Sequence, residues 1–173
     1  MKFFVILISL IFFIINPIKA IDLKIVYIDT DKILNESKAG IDIKKKLDSI
    51  NKKNISKFKK IEKELVEEEK KISQQKNILS KEELEKKIKI LQEKAIKFNT
   101  DVKKNKNDLI QKNKDSTKKI LISLNSILSD YASKNSIHII LQKKNIVIGR
   151  EDLDITSEIL DIANQKIKNI KLQ

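Results

Sequence analysis

The residues with the most obvious chemical promise are Asp29, Thr30 and Asp31, which directly follow the aliphatic run Leu23–Ile28. A carboxylate at the end of a strand can attack a phosphate ester as a nucleophile. That chemistry also needs a parallel sheet, a distant Ser or Thr, a Lys, and further acids at strand ends to hold a metal. Residues 41–131 read as helix instead, and the position two after Asp31 is Ile33. The acid pair is therefore expected to end a strand and cap a helix, with Asp29 as the cap. His138 is the sole histidine and sits among Ile137, Ile139 and Ile140. With no second imidazole and no cysteine it reads as a structural residue on a strand. Glu67, Glu68 and Glu69 point in three helical directions and cannot converge on one ion. No nucleophile, phosphate loop or cofactor box appears, so no enzymatic activity, cofactor or metal is expected.

The elements around these residues form a definite pattern. After the Leu23–Ile28 strand, the spacing predicts a short helix over Asp31–Lys38 with Ile33 and Leu34 facing inward and Gly40 ending or kinking it. From Ile43 the apolar positions run Leu47, Ile50, Phe58, Ile61, Leu65, Ile72 and Leu79, a stripe on one helix face. A second set, Leu84, Ile88, Leu91, Ala95, Phe98, Val102 and Leu109, keeps the 4-3 alternation of a coiled-coil seam. Glu68, Gln75 and Asn105 occupy seam positions, so the stripe is thin.

Between the two sets, Ser80-Lys81-Glu82-Glu83 spells a capping box: Ser80 accepts from the Glu83 N–H while Glu83 reaches back. Two seams joined at a new helix start describe an antiparallel hairpin with its tip near 78–81. At about 1.5 Å per residue its outgoing arm reaches roughly 55 Å. The returning helix becomes more apolar through Ile120, Leu124, Ile127 and Leu128, which predicts burial in a body. Beyond it, Ile137–Leu141 and Ile146–Ile148 read as a strand hairpin turning at Gln142–Asn145. Asp154 or Thr156 then caps a last helix whose inner side is Ile155, Ile159, Leu160, Ala163 and Ile167.

The expected fold is α+β: a small β-body built from both chain ends (21–40 and 132–173), carrying a long helical hairpin arm (41–131). A body that small, with an open-edged sheet, is marginal alone and points to completion across subunits.

Charge and cysteine usage narrow the partners. The chain has a net charge of +13 and no cysteine, so packing or self-association must replace disulfides. Residues 41–131 hold 25 Lys against 15 Asp and Glu, a net of +10, whereas the rest after residue 20 is close to balanced. Runs such as Lys44–Lys46 and Lys103–Lys104 are solvated helix faces by default, with an electrostatic role in binding as the alternative. At the start, Lys2, the apolar run Phe3–Ile15 and Ile18-Lys19-Ala20 read as a signal peptide cleaved after Ala20. The apolar run is too short for a spanning helix, which needs roughly 20 residues. Export across a membrane is therefore expected.

The combined layout resembles the Skp/OmpH-like periplasmic chaperones of Gram-negative bacteria. The segments that carry the resemblance are KIVYIDTDKILNESKAG near the start and SIHIILQKKNIVIGREDLDITSEIL near the end, the latter with the Asp154-Ile155-Thr156 helix start. The resemblance implies a jellyfish-shaped homotrimer whose arms enclose a cavity and hold unfolded outer-membrane β-barrel proteins without ATP. It also brings an anionic lipid or lipopolysaccharide surface into view as a partner, although Arg150 is the only arginine. Candidate client-binding positions on the arms are Lys86, Lys87, Lys103, Lys104, Ile78 and Leu79; the structural caps are Asp29, Ser80, Glu83 and Asp154. Two other readings stand beside it, a histone-like nucleic-acid-binding protein and a structural coiled coil spanning the envelope. Scarce aromatics and the lone arginine speak against specific nucleic-acid binding.

Overall fold

The computed structural model describes residues 23–168, 170 and 172; the leader and its cleavage site lie outside the described residues. The order is β1 (Ile25–Ile28), α1 (Thr30–Glu36), α2 (Lys38–Gln75), α3 (Lys81–Lys134), β2 (Ile139–Gln142) and α4 (Thr156–Lys166). Among the described residues helix dominates, and the sheet has two strands.

The expected strand hairpin does not form. β1 pairs with β2 in parallel, Ile25 opposite Ile139 and Ile28 opposite Gln142. The reason is the long helical excursion between them. α2 leaves and α3 returns, so the chain re-enters beside β1 in the same direction, as a long crossover allows. After β2 the chain makes a 3-10 turn at Lys143–Asn145, and Val147 and Ile148 are fully exposed rather than paired. The segment then passes over Tyr27, whose hydroxyl donates to the Arg150 carbonyl at 3.0 Å. It reaches the far edge of β1, where Asp154 bridges Tyr27 and the Ile155 N–H donates to the Tyr27 carbonyl at 3.0 Å. The run Ile146–Ile148 is β-branched enough to be a strand but has no free ladder beside it.

One face of the sheet supplies Val26 and Ile28 to the core, joined by Ile33, Ile43, Ile120, Leu124, Ile127, Ile155 and Ile159. This core sits where α1, α4 and the roots of α2 and α3 meet. Ile33 and Ile159 are completely buried, and burial of such a side chain contributes about 1.5–3 kcal/mol.

The break between α1 and α2 falls at Ser37, not at Gly40. Ser37 is buried, and its hydroxyl accepts from the Gly40 N–H at 3.2 Å to cap α2. Gly40 lies in the first turn of α2, where the Leu34 carbonyl occupies the space a Cβ would need. Its role is close approach rather than helix termination.

Candidate functional site

The hairpin of α2 and α3 is the most prominent feature and the place where most of the charge lies. With 38 residues α2 is about 57 Å long, its root buried in the body and the rest projecting from it. At the tip the Ile78 and Leu79 N–H groups donate to the Gln75 carbonyl at 2.9 and 3.1 Å, closing a tight turn. α3 then starts with its capping box: the Glu83 N–H donates to Ser80 Oγ at 3.3 Å, and the Ser80 N–H donates to Glu83 Oε2 at 3.2 Å. The bonds from Ser80 hold the Glu83 carboxyl below the usual carboxylate range.

The seam between the helices is thin and partly polar. Phe58 and Phe98 meet edge to face with ring centroids 5.9 Å apart. Two of the three polar seam positions find partners across the hairpin, while Asn105 donates to the Asp101 carbonyl of its own helix. Glu68 pairs with Lys94 at 2.7 Å, and Gln75 accepts from Lys87 Nζ at 2.9 Å. At one position the burial departs from the strict heptad: Asp101 is half-buried while Val102 is exposed, and Asn105 is back in the seam. Towards the body the seam becomes apolar, with Ser116, Ile120, Leu124 and Ile127 buried.

Two open grooves run along the hairpin, one on each side. A groove of about 560 Å³ near the body is lined by Lys44, Asp48, Asn51, Ile110, Asn113 and Thr117 over a floor that includes Ile43 and Leu109. A groove of about 390 Å³ farther out is lined by Lys57, Glu64, Lys94 and Lys97 around Phe58 and Phe98.

The expected binding residues do not gather into one place. Ile78 stands almost fully exposed at the tip, and Leu79 beside it is half-buried. Lys86, Lys87, Lys103 and Lys104 are all exposed, but Lys87 is engaged with Gln75. Sequence reasoning passed over Ile55, Val66, Ile96 and Ile110, each more than half exposed on the arms. Their signal was present: each directly follows a residue of the seam.

The residues with chemical promise are bound into structure. The Lys32 N–H donates to Asp29 Oδ1, and the Asp29 N–H donates to Thr156 Oγ1, both at 2.8 Å. Asp154 is not the N-cap of α4; that position is Ile155, which offers no capping side chain. The Asp154 carboxylate, one residue earlier, accepts from the Thr156 N–H at 3.0 Å, from the Thr156 hydroxyl, and from Lys143 Nζ at 2.7 Å. Burial works against its charge, but the bonds from Lys143 and Thr156 win and hold it below the usual range. The same contact raises the Lys143 ammonium. His138 Nδ1 accepts from the Lys24 N–H at 3.2 Å, while the His138 N–H donates to the Lys24 carbonyl. Among the described residues no group of three or more metal-ligating side chains is found.

Comparison with known proteins assigns the whole arrangement. A crystal structure from Caulobacter crescentus, reported as a candidate outer membrane chaperone (OmpH-like), superposes with a TM-score of 0.81. It shares 15% identity, over 86% of this chain and 88% of that one. No curated protein matches the sequence. The family model described as Outer membrane protein (OmpH-like) matches residues 24–162, and the chain belongs to that OmpH-like family.

Proposed function

We propose that this protein is a chaperone of the periplasm, a holdase that binds unfolded outer-membrane β-barrel proteins and keeps them from aggregating until they insert. The family membership and the fold shared with an OmpH-like chaperone candidate support a chaperone role. The observation that carries the reading is the hairpin itself. It projects from a small core, keeps its seam thin, and leaves aliphatic side chains exposed along its length among many lysines. Such a surface gives weak, replaceable contacts to an unfolded chain, and its charge attracts acidic clients over distance. Release then follows from client folding in the membrane and needs no nucleotide.

Self-association belongs to this reading. Parallel sheets are normally covered on both faces. Here Ile25, Ile139 and Leu141 are exposed on the face away from the core, beside the bare Val147 and Ile148. A second copy would cover them, and a homotrimer is the assembly that places three arms around one cavity. Anionic lipid or lipopolysaccharide would be a further partner of the lysine-rich arms.

The test mixes the purified protein, without nucleotide, with an outer-membrane β-barrel protein diluted from urea. Light scattering should fall in proportion to the protein added, and duplex DNA should compete poorly with the client. Scattering that is unchanged by the protein would overturn the holdase reading.

A further inference from the structure

Two hydrogen bonds to α4 hold α1 at both of its ends. The Asp29 N–H donates to Thr156 Oγ1 at 2.8 Å, and the Lys38 N–H donates to Asn164 Oδ1 at 2.7 Å. Thr156 and Asn164 lie about 12 Å apart along α4, roughly the length of α1. A helix of seven residues is not stable alone in water, so its place comes from these bonds and from Ile33 in the core.

The second bond reaches beyond α1. Lys38 is the first residue of α2, and its N–H is one of the donors that a helix cannot satisfy from within. Asn164 takes it up from outside, while Ser37 Oγ takes the Gly40 N–H. Ser37, with a ψ of 149°, is the single non-helical residue between α1 and α2. The foot of α2 is thus a sharp knuckle, tied to α4 by one side chain and packed through Ala39 and Ile43. The other leg of the hairpin is anchored differently: α3 runs unbroken from Lys81 to Lys134 and buries Ile120, Leu124 and Ile127.

An arm with two legs keeps its angle only while both feet are fixed. With the foot of α2 loose, α3 would carry the arm alone, and long helices bend. Leverage enlarges the effect, since a turn of about 5° at the foot moves the end of an arm about 57 Å long by about 5 Å. There is room for such a turn. The groove of about 560 Å³ opens between the legs just beyond the foot, with Gly40, Lys44 and Asp48 on one wall and Asn113 and Thr117 on the other.

We infer that Asn164 is a positioning residue: it fixes the foot of α2 on α4 and so sets the angle at which the arm leaves the body. The consequence for clients rests on the holdase reading, in which that angle sets how closely the arms hold a client. The position asks for a hydrogen-bond acceptor. Asp supplies one at the same reach, with a charge that a helix N-terminus favours, and Ala supplies none.

The chain has no cysteine, so spin labels can be placed at will. Labels at Lys63 on the arm and Glu158 on α4, both exposed, report the arm angle; labels at Lys134 and Glu158 report the body alone. Doubly labelled full-length chains are diluted into an excess of unlabelled ones and measured by pulsed double electron resonance. Asn164→Ala should raise the share of displaced arms about fivefold, the effect of one lost hydrogen bond, and leave the 134–158 distance unchanged. Asn164→Asp should restore the distribution of the unmodified protein. With a urea-diluted outer-membrane β-barrel protein, N164A should release the bound client faster and N164D should not. A 63–158 distance that N164A leaves unchanged overturns the inference. So does a 134–158 distance that broadens along with it, or a failure of N164D to restore the arm; each leaves the holdase reading standing. Client release that stays the same while the arm moves overturns the consequence drawn for clients. Arm distances that shift as expected in a protein that never suppresses aggregation support the role of Asn164 and overturn the holdase reading.

Discussion

Asp29, which stands where a phosphatase nucleophile would, and Asp154, expected as a cap, both serve the local structure. Asp29 holds the first turn of α1 through the Lys32 N–H. Asp29→Ala should cost about 1 kcal/mol in denaturant unfolding and Asp29→Asn almost nothing. A metal-dependent phosphatase activity lost in both variants would contradict the capping role. For Asp154 the sign of the pH dependence follows from its lowered pKa. The carboxylate titrates lower when folded than when unfolded, so its stabilisation is present above the unfolded pKa and fades as pH falls through the folded one. Asp154→Asn should therefore lower the unfolding midpoint at neutral pH. The gap to the unmodified protein should narrow as pH falls below the ordinary carboxylate range. The caps near residues 29 and 80 were legible because the signals are local: a side chain and the N–H three residues on. The Lys143–Asp154 pair was not, since the turn that joins them is set by the far edge of β1.

At the scale of elements, periodicity revealed the hairpin, its turn and its capping box. Two features escaped it. Val102 keeps the strict heptad but is exposed, with Asp101 half-buried beside it. Ile146–Ile148 has strand composition, yet strand pairing is decided by what lies alongside, and β1 takes β2 and Asp154 as its neighbours. The contrast between a polar outer seam and an apolar root carries a dynamic consequence. Amides of 59–97 should exchange hydrogen faster than those of 116–131, where Ile120, Leu124 and Ile127 are buried. Phe98→Ala, which removes the contact with Phe58, should widen that difference without lowering protection in the body. Uniform protection along α3, measured by hydrogen exchange and mass spectrometry, would mean that the arm is a rigid rod.

At the scale of the molecule, charge and packing take separate parts. Exposed charges act over about 10 Å at 0.1 M salt and over far less at 1 M. Raising salt should slow capture of an acidic client sharply in stopped-flow mixing, while the bound complex weakens less because apolar contacts persist. Changing Lys86, Lys87, Lys103 and Lys104 to Gln should reproduce that slowing at low salt. Rates that stay flat across salt and across these variants would leave apolar packing as the sole driver. The proposed self-association uses the bare outer sheet face, so Leu141→Asp with Ile148→Asp should dissociate the assembly and abolish capture.

The central claim, that assembled arms hold an unfolded barrel protein without energy input, is tested most directly by sedimentation velocity. The purified protein is mixed with a urea-diluted outer-membrane β-barrel protein in the absence of nucleotide. The expected result is a single soluble species whose mass equals three chains of this protein plus one client. A monomer sedimenting apart from pelleted client would contradict the account.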